Sequence, residues 1–305
     1  MNLHKRLSNQ LAIVSTSLAL CLTFSCHPEP EPPLGSSDEF ETTAEKFPVT
    51  PGIVDEGSGL APSRNMAGYL WTNQDSGAPN SLYLISKDAK TIKEYNIPGT
   101  VNSDWEEIAS GPGPNEGVNY LYIGDIGNNN APIAPNSVIY RVPEIADINA
   151  SFNQSTVDKI TFTYADGPKN SEALIVDPAT KDIFIISKDT DNTGIYRLAF
   201  PQSTSEVNVA ERVGTIPGVS TATGATISAN GSEILVRTYL AVHYWKRIEG
   251  ESVGQVLKQP SAKQLRIELE PQGEGVCFEV GGNGFYTISE KSTATGVSLN
   301  YYKRK

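Results

Sequence analysis

Four glutamates recur in one short unit: Glu56 in Asp55-Glu56-Gly57-Ser58-Gly59-Leu60, Glu106 in Trp105-Glu106-Glu107-Ile108-Ala109, Glu172 in Ser171-Glu172-Ala173-Leu174-Ile175-Val176, and Glu274 in Gly273-Glu274-Gly275-Val276-Cys277-Phe278. Carboxylates gathered at one phase of repeated strands repel one another unless a cation or protons lie between them. Such hard oxygen ligands suit Ca2+, which takes roughly six to eight oxygens in flexible geometry. The same glutamates would equally serve as caps of strand ends, bonded to backbone N–H groups or to Lys and Arg. A second set, Asp75, Asp125, Lys188, Arg237 and Glu290, lies near one end of the strand that follows each unit. A carboxylate such as Asp125 beside Lys188 and Arg237 suits catalysis on a metal-bridged phosphate, the cations neutralising charge that develops on the leaving group. A ring of salt bridges uses the same charges. Outside the leader the histidines are His27 and His243, which argues against a His-rich zinc site, and His243 among aromatic residues reads as a packed strand residue.

The elements that must position these residues are strands. Turn residues are dense, apolar runs are short and helical periodicity is nearly absent, so the fold class is all-β. Each unit is followed by a strand rich in aromatic and β-branched residues, as in Tyr69-Leu70-Trp71-Thr72, Leu121-Tyr122-Ile123, Ile183-Phe184-Ile185-Ile186 and Phe285-Tyr286-Thr287-Ile288. A further copy, Gly224-Ala225-Thr226-Ile227-Ser228 with Ile234-Leu235-Val236-Arg237, lacks the Glu. The first four pairs are each followed by two more strand-like runs, giving about four strands in about 50 to 65 residues, the size of a β-propeller blade. The fifth copy is one strand short. Lys46-Phe47-Pro48-Val49-Thr50-Pro51 supplies it, so an N-terminal strand closes a five-bladed ring and removes its open edges. Six blades are the alternative, if residues between Asn128 and Asn170 hold extra strands.

The Glu-centred units, together with Leu121-Tyr122-Ile123-Gly124-Asp125-Ile126-Gly127 and Asn73-Gln74-Asp75-Ser76-Gly77, resemble the calcium-dependent apyrases, nucleotidases built as five-bladed propellers. The resemblance implies Ca2+ in the channel, with Glu56, Ser58, Glu106, Glu172 and Glu274 as ligands and Thr223 or Thr226 in the place of a fourth-blade Ser. It supports fold and metal better than substrate, since the basic and aromatic loops that grip a nucleotide in that family are not found. The unit Asp104-Trp105-Glu106-Glu107-Ile108-Ala109 also resembles one shared by uncharacterised bacterial propeller lipoproteins.

At the N-terminus, Lys5 and Arg6, an apolar run from Leu11 to Phe24, and Ser25 before Cys26 follow the order of a secretory signal. Cys at the end of that run resembles a lipoprotein signal. Residues 1–25 are then leader, Cys26 is the lipidation site that ties the chain to a membrane of the bacterial cell envelope, 26–40 form a Pro-rich acidic tether, and 41–305 form the propeller. Once the leader is removed only Cys26 and Cys277 remain, so no disulfide framework is available, and Cys277 reads as a small buried hydrophobe. A net charge of -11 argues against nucleic-acid binding, which wants clustered Lys and Arg. Two functions follow: a calcium-dependent phosphohydrolase, or a non-catalytic propeller that binds a glycan, peptide or partner protein with a structural cation.

Overall fold

Runs of β-branched and aromatic residues cut by Gly, Asn, Asp and Pro turns can bury their apolar faces only as short antiparallel strands. The computed structural model describes residues 39–129, 134–191 and 193–305. The leader, Cys26 and the tether as far as residue 38 lie outside the described residues. No helix among the described residues is long and apolar enough to cross a membrane.

Twenty strands form the fold among the described residues. After β1 (Glu45–Pro48) the first unit is β2 (Gly57–Pro62), β3 (Tyr69–Gln74), β4 (Ser81–Ser86) and β5 (Ile92–Asn96). The second is β6 (Trp105–Pro112), β7 (Asn119–Asp125), β8 (Ser137–Pro143) and β9 (Asp158–Tyr164), and the third is β10 (Ser171–Val176), β11 (Ile183–Ser187), β12 (Gly194–Leu198) and β13 (Asn208–Thr215). The fourth is β14 (Ala222–Ile227), β15 (Glu233–Thr238), β16 (Val242–Lys246) and β17 (Lys263–Leu265), with a short helix α1 (Val253–Leu257) before its last strand. The fifth is β18 (Gln272–Phe278), β19 (Gly284–Glu290) and β20 (Ser298–Lys303).

Each unit is an antiparallel meander. The fifth sheet has the order β1-β20-β19-β18, with Glu45 opposite Tyr301 and Pro48 opposite Ser298, so the N-terminal strand completes the C-terminal unit as the sequence predicts. Units two and three share one eight-stranded sheet because their outermost strands, β9 and β13, pair in parallel over Phe162 and Asn208. The stretch after Asn128 thus supplies β8 and β9 of unit two. Five apolar clusters fill the spaces between neighbouring units: one-two, two-three, three-four, four-five and five-one. The inner strands β2, β6, β10, β14 and β18 face one another around the axis, which is the propeller arrangement.

Phe40, which composition assigns to the tether, belongs to the fold. It is buried between Tyr244 and Phe285, pairs with Arg304 across an isolated bridge and lies under the Arg304 guanidinium. A single aromatic residue in an otherwise polar segment docks because the gap between units four and five needs filling.

Candidate acidic site at the channel mouth

Every inner strand begins with a β-bulge. The register against the next strand slips between Gly57 and Leu60, Trp105 and Glu107, Ser171 and Ala173, Ala222 and Gly224, and Gly273 and Val276. A bulge leaves one residue unpaired and re-aims its side chain. The residues so released are Ser58, Glu106, Glu172, Thr223 and Glu274, all buried. Of the hydroxyl residues offered by the sequence for blade four, Thr223 therefore holds the equivalent position.

Glu56 is placed differently from the other three glutamates. It precedes β2, is exposed, and bridges Glu290 through its backbone at the rim. Matching by residue type selects Glu56, whereas the bulge puts Ser58 in the ring, its Oγ donating to Glu106 O at 2.6 Å.

The three ring glutamates are starved of partners. Glu106 Oε1, Glu172 Oε2 and Glu274 Oε2 are buried and accept no hydrogen bond. The second oxygens of two of them are engaged: Glu172 Oε1 pairs with Lys188, and Glu274 Oε1 accepts from Gln272 Nε2 at 3.1 Å. Burial first, then repulsion from Glu172, Asp75 and Asp104, pushes the Glu106 carboxyl well above its usual range. Burial raises Glu172 to about 7 against the pull of Lys188, and burial followed by Glu172 raises Glu274 to about 9. Glu290, at the rim, is also pushed up to about 7, by burial and then Asp75.

Among the described residues one trio of carboxylates closes tightly: Asp75, Asp104 and Glu106 present oxygens all within 4.8 Å of one another. Gly127 makes this approach possible, since a Cβ there would lie 2.2 Å from Glu106 Oε1 and 2.4 Å from Asp104 Oδ2. Asp104 is the site residue that sequence reasoning leaves without a role. It sits in the quoted Asp-Trp-Glu unit, but its direction is set by the loop before β6, which no strand periodicity reports.

Asp125, Lys188 and Arg237 do not gather as one phosphate clamp. Asp125 is spent on the loop, its Oδ1 accepting from Asp104 N at 2.7 Å, so it positions Asp104. Lys188 does reach the acids. It pairs with Glu172 and lies 5.1 Å from the Tyr239 ring, and although burial opposes its charge, Glu172 raises its pKa above the usual lysine value. Arg237 is fully buried between units four and five, Nη1 donating to Gly275 O at 2.9 Å and Ile288 O at 3.1 Å. Its Nη2 stands 3.1 Å from Glu270 Oε2 without hydrogen-bond geometry, and Gly273 leaves room for it. The register explains the difference: Arg237 lies opposite Gly224, two residues deeper along its strand than the level of Asp75, Lys188 and Glu290.

Glu107 plays a part that its sequence position does not announce. Fully buried, it accepts from Leu60 N at 3.1 Å and Ile108 N at 3.1 Å through Oε1, and from Ala225 N at 2.9 Å through Oε2. One carboxylate thereby ties the inner strands of units one, two and four. The space it crosses is kept free by Gly224, where a Cβ would lie 3.2 Å from Oε2. Below it the channel is packed shut, with a void of about 10 Å3 among Leu60, Ile108, Leu174 and Ala225. His243 and Cys277 are buried, as their sequence surroundings suggest, and burial lowers the His243 pKa to about 4.

No family model matches the chain, and no curated protein matches it. Several solved structures are similar to it over most of its length. A chain of the mitotic checkpoint complex is 12% identical with a TM-score of 0.47, covering 95% of this chain and 99% of that one. A calcium-binding regucalcin from Agrobacterium tumefaciens is 10% identical at 0.46, with 86% and 96% covered, and the WD40 repeats of RRP9 are 10% identical at 0.40, with 82% and 67% covered. By its own ring of antiparallel sheets, packed radially around the inner strands, the chain is a β-propeller.

Proposed function

We propose that the channel mouth binds a divalent cation, Ca2+ foremost, and that the chain is a cation-dependent binding propeller of the bacterial cell envelope, held to a membrane through a lipidated Cys26. The observation that carries the cation is the set of buried, unpartnered oxygens on Glu106, Glu172 and Glu274. A buried carboxylate oxygen without a donor costs several kcal/mol unless it is neutralised. Asp75 and Asp104 beside Glu106 bring the available carboxylates to five, and the Ser58 and Thr223 oxygens stand in the same ring. An all-oxygen set of this size fits Ca2+ in number and hardness. The likeness of the Glu units to calcium-dependent apyrases points the same way.

A second reading, phosphoester hydrolysis, rests on Lys188, whose ammonium lies among these acids. A bound Ca2+ supplies Lewis-acid polarisation of a phosphoryl oxygen, and Lys188 would hold the phosphate. With Arg237 committed to backbone carbonyls, that clamp keeps a single cationic side chain. The binding reading therefore takes precedence.

Calorimetric titration of the chain with Ca2+ tests the proposal. Glu106→Gln is expected to weaken Ca2+ by at least about 10-fold, roughly 1.4 kcal/mol, because Glu106 joins the ring to the Asp75-Asp104 pair. Unchanged affinity in that variant would remove this ligand set. Ca2+-dependent turnover of a nucleoside diphosphate or an aryl phosphate, lost in Glu172→Gln, would favour the hydrolase.

A further inference from the structure

We propose that the propeller face opposite the acidic mouth carries a binding site for a small organic carboxylate, with Arg64 as the group that recognises the anion. The inner strands run from the mouth to this face, where β2 ends at Pro62, β14 at Ile227 and β18 at Phe278. Around these ends lie two cavities of about 250 and about 170 Å3, which share Pro62, Arg64, Glu279 and Val280 in their walls. Joined, they reach the lower end of the range for small-molecule pockets, roughly 300 Å3 upward.

Arg64 is held in place and left incomplete. Its backbone N donates to both Glu144 oxygens, at 3.2 and 3.1 Å, while Nε donates to Ser110 Oγ at 3.2 Å and Nη2 to Ser110 O at 3.1 Å. Among the described residues the guanidinium bonds only through Nε and Nη2, and Arg64 forms no ion pair. Burial accordingly holds its pKa below the usual guanidinium range, with Glu144 opposing. A guanidinium held through Nε and one N–H of Nη2 keeps Nη1 and the second N–H of Nη2 as the two parallel donors that match a carboxylate.

The rest of the wall agrees with a monoanion that has an apolar body. Glu279 does not compete for Arg64, being paired with Lys87 and bonded by Asn283. Val280 is 49% exposed, and with Pro62, Tyr69 and Ala229 it gives the ligand an apolar surface. The packed channel separates this site from the acids at the other face.

The test is titration of the full chain with benzoate and with its neutral analogue benzamide, followed by calorimetry in the presence of chelator, so that the cation plays no part. Benzoate is expected to bind, benzamide at least about 10-fold more weakly, and Arg64→Lys to lose about 10-fold in benzoate affinity by surrendering the fork. Val280→Trp enlarges an exposed side chain of the wall and fills the cavity; it is expected to abolish binding while leaving the melting temperature unchanged. Absence of benzoate binding to the wild-type chain, equal affinity for benzamide, or undiminished binding in Val280→Trp would each overturn the proposal.

Discussion

Replacing Glu107 with Ala is expected to lower the melting temperature by roughly 10 °C or more. The substitution strands three buried N–H donors, those of Leu60, Ile108 and Ala225. Each unsatisfied donor costs about 1–3 kcal/mol, and about 1 kcal/mol shifts a domain of this size by roughly 2–4 °C. Removing a buried carboxyl offsets part of the loss, since burial, and to a lesser degree Glu274, push it well above its ordinary range against the three backbone donors. Three lost bonds outweigh that relief because the carboxylate is the acceptor for strands from three units. Glu107→Gln separates the two effects. Its amide oxygen keeps the Leu60 and Ile108 bonds, while its NH2 meets Ala225 N donor to donor, so a smaller drop of roughly 3–6 °C is expected. Thermal unfolding followed by circular dichroism reads both variants, and an Ala variant within about 2 °C of wild type would show that Glu107 is not the tie described.

The second large effect is a dependence on pH that calcium should suppress. Glu172 and Glu274 hold folded-state pKa values of about 7 and about 9 against an unfolded value of 4.5. Between 4.5 and those values the native chain binds more protons than the unfolded chain, so stability falls as pH rises through the window. Each additional native proton costs about 1.4 kcal/mol per pH unit. Chelated protein is therefore expected to melt roughly 10–20 °C lower at pH 8.5 than at pH 5.5. With saturating Ca2+ the slope should flatten, because a cation takes the place of the protons. A chelated protein whose melting temperature is level or rises over this range would contradict the electrostatics assigned to the ring.

Much of the fold is legible in the sequence because it is periodic. Repeated Glu units, partner strands and a C-terminal unit one strand short lead to a ring closed by β1, and the observed β1–β20 pairing is that closure. Bulges are where residue matching fails. Glu56 and Ser58 lie two residues apart, and only the slip between Gly57 and Leu60 shows which of them enters the channel. Arg237 shares a strand with residues at the mouth yet lies one pleat deeper, a difference of register that composition does not carry. Two of the three donors to Glu107 come from 47 and 118 residues away, so its tie between units exists only after the ring closes. Asp104 was visible as part of a motif, but the short loop that turns it toward Glu106 is fixed by Asp125 and by the missing side chain of Gly127.

Scanning calorimetry of the chain in Ca2+, in Mg2+ and in chelator tests the cation site most directly. A ligand that binds only the folded state stabilises it by about 2.7 kcal/mol at 100 times its Kd, so Ca2+ is expected to raise the melting temperature by roughly 5–10 °C, in a concentration-dependent way and more than Mg2+, which prefers a tighter octahedral site. An identical melting temperature in Ca2+ and in chelator would contradict the account and leave the buried glutamates protonated in a propeller that needs no metal.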